Sequence, residues 1–232
     1  PILQIVIMRN KYLQIALISS VLIANEISWT RIFSAEFYYS FAFLILSLAI
    51  LGLGLGALSL RLFKKLNSEK FYTLSLILSG LITILSSILI FKIELNFSQL
   101  YLSFFESLKF LLAVILLALP YFFGGIAISY LLKTENEKLP KLYMADLIGA
   151  GIGVLFIMIL MNYIGTPLAF SIINVLLPLL ALTLSVSLSQ KIFSIVSIII
   201  ISITAFFSSS LFELPREDRG EVLYTHWDAM SK

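Results

Sequence analysis

Seven stretches of this chain, at roughly 12–33, 39–61, 71–91, 110–132, 143–163, 167–189 and 191–211, are each about twenty residues long and almost uncharged. A run of that length is what a helix needs to cross the hydrocarbon of a bilayer, and seven of them in 232 residues leave little chain for anything else. Inside lipid every backbone donor and acceptor must be satisfied internally, so each run is expected to be helical. Composition points the same way. Hydrophobic residues make up 60% of the chain and charged residues 12%, with a mean hydropathy of +1.04. A soluble fold could not keep so apolar a surface wetted. The expected fold is therefore all-α: a polytopic transmembrane bundle of about seven spans over 1–211, with the lipid bilayer as partner. A short soluble tail over 212–232 follows, read as the start of a missing or truncated soluble domain.

The first stretch is the least regular, since Asn25, Glu26 and Arg31 lie in its second half. Arg9 and Lys11 ahead of an apolar core would suit a signal peptide, but no small-x-small cleavage site follows and the next span begins at once. An uncleaved first span is the preferred reading. Orientation follows from Lys and Arg in the short loops. A cytoplasmic N-terminus puts Arg9, Lys11, Arg61, Lys64, Lys65, Lys70, Lys133, Lys138, Lys141 and Lys191 inside and only Arg31, Lys92 and Lys109 outside, ten against three. The expected location is a multi-pass position in the plasma (inner) membrane. Between the third and fourth spans, Phe97, Leu100, Tyr101, Phe104, Phe105 and Leu108 form a helical stripe. It reads as a short helix in the membrane surface or as an N-terminal extension of the fourth span.

Several function classes drop out. A net charge of +3, scattered along the chain, argues against nucleic acid. With no cysteine and one histidine there is no disulfide, no Cys/His zinc site and no catalytic thiol, so no metal ligand set and no catalytic residue is expected.

What remains is glycine, proline and intramembrane carboxylate. Gly52 and Gly56 lie four apart, as do Gly149 and Gly153, a spacing that clears one helix face for a neighbouring backbone. Pro120, followed by Tyr121 and then Gly124 and Gly125, sits in the middle of the fourth span, where it can kink the helix or frame a binding site. Glu26 and Asp146 are carboxylates inside apolar runs, which cost several kcal/mol unless compensated and so mark candidate sites. Arg31 is near Glu26 in sequence, but five residues turn about 140° around a helix, so the two diverge and Arg31 reaches toward headgroups. The candidate substrate-binding residues are Glu26, Arg31, Asp146, Pro120 and Tyr121.

Segments Glu26–Ser34, Ser40–Ala57, Leu119–Gly125, Leu142–Gly151 and Val222–Lys232 together resemble the N-terminal membrane domain of bacterial spermidine synthase-like proteins. The resemblance implies a Rossmann-like transferase unit, in the same or a partner chain, that uses decarboxylated S-adenosylmethionine or S-adenosylmethionine. It also implies a polyamine ligand. This chain contains no Gly-rich nucleotide loop after a strand and is expected to hold no cofactor itself. Its expected role is to anchor such a unit and to bind or pass its substrate. An independent transporter or channel for a small cationic or amphipathic solute is the alternative.

Overall fold

The structure is a computed structural model that describes residues 10–36, 41–93 and 102–211; the tail over 212–232 lies outside the described residues. The described chain is helical throughout and has no strand. Its elements are α1 (Lys11–Glu36), α2 (Phe41–Leu62), α3 (Glu69–Ile93), α4 (Phe104–Thr134), α5 (Leu139–Ile164), α6 (Thr166–Asn174), α7 (Leu176–Leu184), α8 (Leu188–Phe206) and the single turn α9 (Ser208–Leu211). With α6 and α7 taken as one, seven helices are long and apolar enough to cross a membrane. The protein is an integral membrane helical bundle.

Successive spans run in opposite directions, which gathers the basic residues at one end. There the Gln190 side chain donates to the Lys70 carbonyl at 2.8 Å, and the Tyr72 hydroxyl donates to Gln14 at 3.0 Å. Tyr72 also stacks on Tyr130 with ring centroids 5.0 Å apart. We call this the basic end.

Burial does not follow hydropathy. Helix α1, the most polar span, is enclosed by α2, α4, α5, α6 and α7, while α5 and α8 lie outside. The large side chains of α5 that are exposed, among them Leu147, Ile152, Leu155, Phe156 and Ile159, make a broad lipid face. Helix α3 is interior and its hydroxyls are hidden: Thr73, Ser75, Ser79, Thr83, Ser86 and Ser87 are all buried. Most of them bond carbonyls one turn back, as Thr83 does to Ser79 and Ser87 to Thr83. An inward polar face is tolerable because all of these hydroxyls but that of Ser86 are satisfied without water.

Two glycine seams set the closest approaches. A Cβ at Gly52 would come within 2.6 Å of the Ala118 carbonyl oxygen, and one at Gly125 within 2.5 Å of the Leu53 carbonyl oxygen, so α2 and α4 meet backbone to backbone. Helices α1 and α5 do the same: a Cβ at Gly149 would come within 2.6 Å of the Ala16 carbonyl carbon, and at Gly153 within 2.7 Å of the Ser20 Cα. The central glycines of both motifs, Gly54 and Gly151, have nothing within 4 Å.

Three boundaries depart from the sequence reading. The sixth and seventh spans end at Leu184 and Phe206, earlier than expected; for the sixth, Ser187 accepts from the Gln190 backbone N–H and starts α8 there. The sixth span is broken at Val175, ahead of Pro178: proline has no N–H for the Asn174 carbonyl and its ring takes the space of the preceding turn, whereas in the first turn of α7 it is tolerated. Pro120, by contrast, lies inside an unbroken α4. Residues 104–109 of the aromatic stripe are the first turns of α4, while residues 97–101 lie outside the described residues.

Candidate functional site

Helix α1 carries the polar interior of the bundle. At 100° per residue, Asn25 and Trp29 point toward α3, α6 and α7. The Asn25 amide exchanges hydrogen bonds with Asn174 at 2.9 and 2.7 Å, at the break between α6 and α7. The Asn174 amide also donates to the Phe170 carbonyl one turn back, and both asparagines are buried. Trp29, fully buried, donates its indole N–H to Ser87 at 2.7 Å. Its ring meets Tyr121 edge-on at 5.7 Å and lies 6.3 Å from the rings of Phe33 and Phe170. Asn25, Asn174, Trp29 and Ser87 are mutually satisfied and fix helix positions.

The two carboxylates part ways. Asp146, in the part of α5 nearer the basic end, accepts a hydrogen bond from the Ser19 hydroxyl on α1, one turn before the Gly149 contact. Glu26 has no such partner. The ion pairs among the described residues are Glu106 with Lys109 at 2.9 Å and Glu135 with Lys138 at 3.5 Å, and Glu26 belongs to neither. Its side chain is half-buried. From Ser19 to Glu26, seven residues turn the helix to within about 20° of the starting direction. From Leu22, which packs on Gly124, Glu26 is offset by about 40°. Glu26 therefore lies on α1 between the sides that face α4 and α5.

The neighbour that matters is Tyr121. Its side chain is fully buried, its hydroxyl has no hydrogen-bond partner, and Glu26 lies within electrostatic reach of it. Of the other buried hydroxyls without partners, Thr166 opens α6, and Ser86 and Ser194 sit inside helices, where a rotation about χ1 can reach the carbonyl one turn back. A tyrosine hydroxyl at the end of a rigid ring has no such recourse, and leaving it unmade costs about 1–3 kcal/mol. A carboxylate and a buried hydroxyl that both lack partners each keep the capacity to accept from a cationic donor.

Of the residues expected to share a site, Glu26 lies within electrostatic reach of Tyr121. Pro120 places Tyr121, with its own carbonyl accepting from Ser79 at 2.9 Å. Asp146 lies about 10 Å from Glu26 along α1, and Arg31 is further toward the opposite end on another face. The sequence reading missed Asn174 and the α3 hydroxyls. The latter were visible as Ser75, Ser79, Thr83 and Ser87 at i, i+4 spacing. No group of three or more His, Cys, Asp or Glu suited to a metal occurs among the described residues. Compared with protein-family models, with curated proteins and with solved structures, the chain matches none.

Proposed function

We propose that this membrane domain binds the ammonium group of a small organic cation at Glu26, with the Tyr121 hydroxyl as second contact. The observation that carries the reading is a half-buried carboxylate, free of ion pairs among the described residues, within electrostatic reach of a buried hydroxyl that has no partner. An ammonium group supplies three donors and one positive charge, which suits two acceptors and one negative charge in a low-dielectric setting. The resemblance of Glu26–Ser34 and Leu119–Gly125 to spermidine synthase-like membrane domains makes a polyamine the cation of choice. A soluble transferase unit using decarboxylated S-adenosylmethionine or S-adenosylmethionine, in the same or a partner chain, is then its consumer. The Lys and Arg bias favours a plasma-membrane setting with a cytoplasmic N-terminus.

The test is spermidine binding to the purified protein in nanodiscs. Glu26→Gln keeps size and loses charge, and a hydrogen bond to a charged group is worth about 1.5–3 kcal/mol, so affinity should fall roughly 10- to 150-fold. Glu137→Gln, an exposed surface change, serves as the control that leaves binding as it was. Equal affinity in the parent protein and in Glu26→Gln would reject the assignment.

A further inference from the structure

We infer that a cleft at the basic end binds the phosphate of an anionic lipid headgroup. The cleft has a volume of about 60 Å³. Lys11 and Tyr12 at the start of α1, Glu135 and Lys138 in the turn from α4 to α5, and Leu142 in the first turn of α5 line it. That is room for one phosphate group, and a nucleotide would not fit. The inference goes beyond the Glu26 reading and uses none of its residues. Lys11 lies about 22 Å along α1 from Glu26.

The sign of the ligand follows from which lining groups are already engaged. Glu135, the one carboxylate, is answered by Lys138 at 3.5 Å. Lys11 takes part in no ion pair among the described residues, and the Tyr12 hydroxyl makes no hydrogen bond among them. Helix α5 begins at Leu139 without a side-chain cap, so N–H groups of its first turn are left for an outside acceptor at the positive end of the helix dipole. The carbonyls that end α4 are occupied: Tyr130 and Leu131 accept from the Thr134 hydroxyl, and Leu131 also from the Glu135 N–H. An unpaired ammonium, a free hydroxyl and uncapped N–H groups, against a carboxylate that is already paired, leave an excess of donors. A phosphate takes such donors.

The surroundings favour a lipid over a free anion. The cleft stands where three spans end, at Lys11, Thr134 and Leu139, which is the level of the headgroups. Its apolar wall, Leu142, adjoins the lipid face of α5, where Leu139, Tyr143 and Leu147 are exposed in one line at four-residue spacing. A phosphate held in the cleft can therefore keep its acyl chains against that line. Basic clefts between membrane helices select anionic headgroups. Phosphatidylcholine carries the same phosphate but adds a cationic trimethylammonium group, which Lys11 and Lys138 repel. Phosphatidylglycerol adds only hydroxyls.

The experiment counts retained lipids. The full chain is purified in micelles holding equal amounts of dioleoylphosphatidylglycerol and dioleoylphosphatidylcholine, and bound lipids are counted by native mass spectrometry. One phosphatidylglycerol should be retained in preference to phosphatidylcholine. A lysine near anionic headgroups is worth about fivefold in binding, so Lys11→Gln should lower that preference about fivefold. Lys138→Gln should lower it further, because it also uncovers Glu135. Glu135→Gln should raise it, a gain that no loss of folding can produce. Lys65→Gln, on the loop between α2 and α3 and outside the cleft, should leave it as it was. Equal losses in Lys65→Gln and Lys11→Gln would show attraction by the whole basic end and overturn the site. Equal retention of the two lipids by the parent protein would overturn it as well. Release of phosphatidylglycerol by millimolar inorganic phosphate would assign the cleft to a soluble phosphate and overturn the lipid reading.

Discussion

Replacing Gly149 with alanine puts a methyl group where the Ala16 backbone already sits, whereas the same change at Gly151, two residues on, meets nothing within 4 Å. The two substitutions are chemically identical and lie in one motif, so any difference between them reports packing alone. At Gly149 the obstructing atoms are backbone, which cannot rotate aside, and overpacking of that kind costs about 1–3 kcal/mol. Pushing α5 off α1 also loosens the bond from Ser19 to Asp146, a further loss of about 1 kcal/mol. At Gly151 the gain in helix propensity over glycine is up to about 1 kcal/mol. The variants should therefore differ by about 2–4 kcal/mol with opposite signs, against the parent protein, in denaturant unfolding or steric trapping in detergent. The pair Gly52 and Gly54 on α2 should behave alike, since Gly52 meets the Ala118 carbonyl and Gly54 meets nothing. Equal effects at Gly149 and Gly151, or a larger loss at Gly151, would refute the seam as the contact holding α5 in place.

The buried amide pair offers a separate check. Asn25→Leu and Asn174→Leu should each destabilise the protein, while the double variant should recover a coupling energy of about 0.6–1.7 kcal/mol in a double-mutant cycle; strict additivity would mean that the pair contributes nothing. Orientation can be read with introduced thiols, because the chain has no cysteine. An impermeant thiol reagent applied to intact cells should label Leu102→Cys and spare Asn67→Cys, and the reverse pattern would invert the topology.

Much of the fold was legible because its signals are local. Apolar runs of membrane-crossing length and glycines four apart declare helices and close seams without knowledge of any partner. The α6–α7 break was less legible because its cause lies in two places: Pro178 frees the Asn174 carbonyl, and Gly80 on α3 leaves room for the proline ring, which would stand 2.8 Å from a Cβ there. Pro120 carried the same local signal, yet α4 continues unbroken past it. The site was legible in part. Both carboxylates stand out against apolar surroundings, but their difference depends on Ser19, which is 127 residues from Asp146 and has no local mark. The Asn25–Asn174 pair spans 149 residues and is likewise invisible to spacing. Tyr121 was singled out for its proline neighbour, whereas its significance lies in a hydroxyl left without a partner.

The central claim is that a ligand ammonium sits on the Glu26 carboxylate. Solid-state NMR can observe that contact directly, with ¹⁵N-labelled spermidine and ¹³C-labelled glutamate in lipid. A salt bridge holds nitrogen and oxygen within about 4 Å, so bound spermidine should dephase the signal of one glutamate carboxylate through the ¹⁵N–¹³C dipolar coupling. That dephasing should vanish in Glu26→Gln. Saturating spermidine that leaves every glutamate carboxylate undephased, or dephasing that persists in Glu26→Gln, would contradict the account.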